Sequence, residues 1–113
     1  MRLFRSITVL SMLLGPSLLT AEVRIQPAEA LKFAAARVQP EYTAIAKQMK
    51  ITGRVDIEVV VTPDGAIEST KALSGNPLLT APAIAAIKKW KFNPITVDGQ
   101  AVKAITTLSF EFK

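Results

Sequence analysis

The chain has 113 residues, half of them hydrophobic, no Cys, no His and a formal charge of +5. A chain this short builds one small core, burying roughly 60–65% of its unfolded surface. Without Cys or His there are no disulfides, no thiolate and no imidazole to act as a general base. Arg2 and Arg5 belong to the amino-terminal leader, leaving 12 basic against 9 acidic residues scattered over the rest. A nucleic-acid groove needs a basic stripe with interleaved exposed aromatics, so no nucleic-acid partner is expected.

In chain order, Arg2 and Arg5 form a positive start and Ile7 to Leu19 an apolar run. Leu19-Thr20-Ala21 then offers small residues before Glu22, the layout of a secretory signal peptide over residues 1–21. The run falls short of the ~20 residues a spanning helix needs, and Gly15-Pro16 interrupts it. An uncleaved inner-membrane anchor is the alternative, and either way the body is expected to be exported. Residues 22–39 read as a lead-in, either a short helix packed on the domain or a mobile segment. Pro27 through Arg37 contains strong helix formers above a thin apolar face of Leu31, Ala34 and Ala35. After Pro40, Glu41 to Met49 reads as one or two helical turns with Tyr42, Ile45, Ala46 and Met49 on one side.

From Gly53 the period changes to two. Val55, Ile57, Val59 and Val61 face one way and Arg54, Asp56, Glu58 and Thr62 the other, with Val60 the apolar exception. Thr62-Pro63-Asp64-Gly65 is turn chemistry, and a second strand, with a bulge, follows over Ala66 to Leu73. A helix is expected from near Thr80, whose hydroxyl can cap it, with Pro82 in the first turn. Leu79, Ala83, Ala86, Ile87 and Trp90 form its apolar stripe, and Lys88, Lys89 and Lys91 sit at the carboxyl end, where cations favour the macrodipole. Asp98-Gly99 turns into a last strand near Val102 to Phe112, which alternates Ala104, Thr106, Leu108, Phe110 and Phe112 against Lys103, Thr107, Ser109 and Glu111.

These elements predict an α+β fold: a two-layer, three-stranded antiparallel sheet with one main helix across one face (β-β-α-β) plus a short N-terminal helical segment. Such a sheet cannot close, and the last strand, delivered by a crossover, is the expected open edge. An open edge is a template for a second extended chain. Enzyme chemistry has little to stand on. Ser74-Gly75 has only Lys71 as a conceivable base, and Asp56, Glu58, Asp64 and Glu68 read as solvated carboxylates beside a hairpin. No enzymatic activity, cofactor, metal or small-molecule substrate is expected.

Pro40-Glu41-Tyr42, Gly53-Arg54-Val55, Pro63-Asp64-Gly65, Ser74 to Leu79, Trp90 to Pro94 and Asp98-Gly99-Gln100 carry a resemblance in their order and spacing. Residues 40–113 resemble the TonB carboxyl-terminal domain family. The resemblance implies an inner-membrane energy-transduction family whose carboxyl-terminal domain works in the periplasm. It also implies that an extended peptide of an outer-membrane transporter is gripped by adding it beside the last strand. The partner-binding residues so implied are Tyr42 and Thr43, where the family's usual Tyr-Pro reads Tyr-Thr, and Ala104, Ile105, Thr106, Thr107, Leu108, Ser109, Phe110, Glu111 and Phe112. A full transducer carries a membrane helix with a His and a long Pro-rich span, and neither is present in this sequence. The expectation is therefore a stand-alone exported TonB-like domain. A self-associating protein, domain-swapped or edge-paired as a homodimer, is the alternative.

Overall fold

A computed structural model describes residues 22–113. The signal-peptide expectation for residues 1–21 lies outside them. The element order is β1 (Val23–Arg24), α1 (Pro27–Leu31), β2 (Ala34–Ala36), α2 (Ala44–Gln48), β3 (Gly53–Val61), β4 (Ile67–Ser74), α3 (Pro77–Ile87), β5 (Lys91–Phe92), β6 (Thr96–Val97), β7 (Gln100–Ala101) and β8 (Ala104–Phe112). Among the described residues no helix is long and apolar enough to cross a membrane.

The alternation of β3 is realised as read: Val55, Ile57, Val59 and Val61 are fully buried under α3. β3 lies between β4 and β8, antiparallel to both, and pairs with β8 without interruption from Gly53↔Phe112 to Val61↔Ala104. The expected irregularity of β4 is present as register shifts at Asp56/Ile57 and at Val60/Val61. Gly65 closes the β3–β4 turn at φ +93, with its N–H donating to the Thr62 carbonyl at 2.9 Å. Asp98 and Gly99 both adopt positive φ (54 and 79), the requirement of a two-residue hairpin between β6 and β7.

Four expectations change. The main sheet has four strands in the order β1-β8-β3-β4, because Val23–Arg24 joins the outer side of β8 in parallel. Residues 22–39 contain the expected short helix packed on the domain, Pro27–Leu31, but it is flanked by a strand on each side. Ile25 and Ala30 lie in the core, and β2 pairs with β5. The main helix starts at Pro77, one turn before Thr80. Asn76 is its cap, accepting from the Leu78 N–H at 2.9 Å, so the Thr80 hydroxyl instead donates to the Pro77 carbonyl. Pro82 consequently stands in the helix interior, where it removes one backbone donor. Finally, α2 buries only Ala46 of the four residues placed on one side. Ile45 and Met49 are more than half exposed, at 55% and 59%.

Trp90 follows α3 and is buried, stacked on Phe92 at 6.0 Å and edge-on to Phe110 at 6.2 Å. Its indole N–H donates to the Val38 carbonyl at 3.0 Å. Helix, sheet and the Arg37–Tyr42 segment thus meet at one side chain, and that meeting shapes the groove described next.

Candidate functional site

Parity along β8 decides what each of its residues can do. Ala104, Thr106, Leu108 and Phe112 point into the core and are 5% exposed or less, while Phe110 is half-buried. Ile105, Thr107, Ser109 and Glu111 turn their side chains to the opposite, open face of the sheet. The Ile105 carbonyl accepts from the Ile25 N–H on the outer side, at 2.8 Å. Because backbone direction alternates along a strand, the main-chain groups of Thr107, Ser109 and Glu111 also point outward, and those of the even residues point to β3. Strand β1 reaches only Ala104 and Ile105. Beyond it, among the described residues, β8 has no second strand neighbour.

That uncovered stretch opens onto a groove. Its first part, a cavity of about 380 Å³, lies between Thr107–Phe110 and a wall that includes Leu31, Arg37, Val38 and Trp90. A second part, of about 190 Å³, is bounded by Pro40, Tyr42 and Glu111 to Lys113. Gln39 and Phe110 line both parts, so the two run together along the edge.

The wall is pinned from several sides. Besides the indole bond to Val38, the Arg37 guanidinium donates to the Leu31 carbonyl at 3.2 Å and lies 5.9 Å from the Trp90 ring centre. Tyr42 donates its hydroxyl to the Ile51 carbonyl at 2.6 Å and sets its ring edge-on to Phe112 at 5.6 Å. Thr43 caps α2, its hydroxyl accepting from the Ala46 N–H at 3.3 Å. Thr43 therefore acts by fixing the turn after Tyr42, while Tyr42 itself borders the groove.

On the open face, Asp56 ties three strands together. It accepts from Ser109 at 2.5 Å, from Arg54 at 3.1 Å and from Ser74 at 3.1 Å, and Arg54 also donates to Ser109 at 3.2 Å. The hydrogen bond from Ser109 and then that from Arg54 hold the Asp56 carboxyl below its ordinary value. Ser109 and Arg54 both border the groove, so this network fixes the open-face rim of the edge.

Of the residues expected from sequence, the structure brings Tyr42, Thr107, Leu108, Ser109, Phe110, Glu111 and Phe112 together around one groove. Ala104 and Thr106 are core, Ile105 is already paired on its outer side, and Thr43 is a cap. Sequence reading passed over Leu31, Arg37, Val38, Gln39 and Trp90 as wall. The signal for Trp90 was its place at the end of the apolar stripe of α3, and the other four lie in the segment left undecided.

The geometry is that of a two-layer α+β domain with a partly open sheet edge set in a groove. The chain belongs to the family of Gram-negative bacterial TonB protein C-terminal domains, whose model matches residues 38–113. It is 36% identical over 80 residues to protein TonB of Vibrio cholerae, an alignment covering 69% of this chain and 33% of that protein. With protein TonB of Escherichia coli K12 the identity is 33% over 63 residues, 54% of this chain and 26% of that protein. The chain thus spans about a third or less of the length of these relatives. The solution structure of the Pseudomonas aeruginosa TonB C-terminal domain superposes with a TM-score of 0.60 at 29% identity, covering 71% of this chain and 83% of that one.

Proposed function

We propose that this domain works in the periplasm by taking up an extended segment of an outer-membrane TonB-dependent transporter as an added strand along Thr107 to Phe112. The observation that carries this reading is the outward row of β8 main-chain groups at Ser109 and Glu111, which face a walled groove and have no strand beside them among the described residues. A single extended chain satisfies such a row with main-chain hydrogen bonds, and pockets at alternate positions select its side chains. Membership in the TonB C-terminal family supports the transporter as the source of that segment. In this role the domain is a non-enzymatic coupling module, and residues 22–39 are part of its folded unit.

Replacing Glu111 by proline tests the reading. Glu111 is exposed and stands outside the Asp56 network, and its N–H faces the groove, so proline removes one docking donor. Binding of peptides from the amino-terminal segments of transporters should weaken about tenfold or more. One main-chain hydrogen bond contributes ~1 kcal/mol, and the ring blocks close approach. Unaltered binding by a folded Glu111→Pro variant would remove β8 as the docking edge. Sedimentation velocity on the same samples shows whether a second copy takes the edge instead, which would favour the homodimer.

A further inference from the structure

The amino-terminal strand already demonstrates what this edge accepts and where acceptance stops. Val23 donates its N–H to the Lys103 carbonyl and Ile25 donates to the Ile105 carbonyl, each at 2.8 Å, in a parallel ladder. The next donor in that ladder belongs to residue 27, which is a proline with no N–H to give. The same Pro27 opens α1, and the chain leaves the edge there. The outward carbonyl of Thr107 is thereby passed over.

The resident strand is held firmly. Ile25 and Ala30 are buried in the core, Arg24 pairs with Glu58 across the open face at 3.4 Å, and Glu22 lies 3.7 Å from Lys103. Its pattern is also informative. Ile25 goes into the core and Arg24 to the open face, with Val23 partly buried against the same core. A segment continuing along β8 meets the same two environments: an apolar side lined by Leu31, Trp90 and Phe110, and a polar rim at Arg54 and Ser109.

We propose that Val23–Ile25 is a permanent strand that closes the start of the β8 edge. The edge then admits only a short partner segment of about six residues, paired one to one with Thr107 to Phe112 and alternating apolar and polar side chains. This rests on the strand-addition reading above and adds a length limit, a side-chain pattern and a fixed stop. A longer extended segment gains nothing past Thr107, because Ile25 and Pro27 stand in its way.

The test uses the folded chain with synthetic peptides of four, six and nine residues alternating valine and threonine, each carrying a terminal Glu-Glu pair for solubility. Affinity is read by calorimetry and main-chain pairing by amide hydrogen exchange. Affinity should rise from four to six residues and change less than about twofold from six to nine. The Ser109 and Glu111 amides should gain protection, while those of Val23 and Ile25 stay as protected as in the free protein. A nine-residue peptide that binds about tenfold tighter than the six-residue one, with protection lost at Val23 and Ile25, would show the strand displaced. That outcome overturns the proposal and leaves strand addition intact. No gain at Ser109 or Glu111 with any peptide would overturn both.

Discussion

Replacing Thr106 by valine should stabilise this domain without touching its docking edge. Thr106 is 1% exposed, paired with Val59 on the core side of β8, and its hydroxyl has no hydrogen-bond partner among the described residues. Burying an unpaired hydroxyl costs about 1–3 kcal/mol on mutational scales. Valine keeps the β-branched shape that suits a strand, exchanging the hydroxyl for a methyl group that belongs in a core. The expected gain is about 1–2 kcal/mol, after allowing for the slightly larger methyl in a packed site. For a domain of this size that raises Tm by roughly 5–15 °C and moves a urea midpoint by about 1 M. Peptide affinity should stay within about twofold, since the main chain of residue 106 faces β3. Thermal and urea denaturation of both proteins, with a peptide titration of each, checks the two halves separately. A Thr106→Val variant no more stable than the parent would mean that the hydroxyl is satisfied in solution, and the penalty assigned to it would be wrong.

Gly65→Ala should destabilise the fold by about 2–4 kcal/mol, combining the strain of a positive φ with a clash against main chain. A Cβ there would stand 2.1 Å from the Phe92 carbonyl oxygen, which cannot move without disturbing β5. A loss under about 1 kcal/mol in urea titrations would show that the turn is free to move off Phe92. The pH dependence follows from Asp56, whose carboxyl is held below the usual 3.8 by Ser109 and then Arg54. Its contribution is complete above about pH 5 and is lost as the pH falls through the lowered value. Asp56→Asn should therefore be less stable than the parent at pH 6 and should lose less stability between pH 6 and pH 3. An acid limb as steep as the parent's would place the sensitivity elsewhere, with Asp64 the next candidate because the Thr62 hydroxyl lowers its carboxyl too.

Much of the fold was legible because local pattern and local chemistry agree in β3, α3 and β8. The alternation Val55, Ile57, Val59, Val61 and the stripe Leu79, Ala83, Ala86, Ile87, Trp90 are both buried as read. The start of α3 was misplaced by one turn because Asn76 and Thr80 are both capping residues, and only the pairing of an actual N–H with Asn76 decides between them. The exposure of Ile45 and Met49 had no sequence signal either, since their spacing from Ala46 suits a buried face equally well.

The sequence by itself determined the parity of the last strand: which residues enter the core and which turn to the open face. That follows from the two-residue repeat of an extended chain and needs no neighbours. What lies beside the strand was a tertiary matter. A strand of two residues with an undistinguished composition carries no periodic signal, so the pairing of Val23–Arg24 with β8 is invisible until the fold brings residues some eighty positions apart together. The groove wall has the same origin. Arg37 to Tyr42 gains its place from the indole of Trp90 and the hydroxyl of Tyr42, bonds across the chain that exist only once helix and sheet have packed.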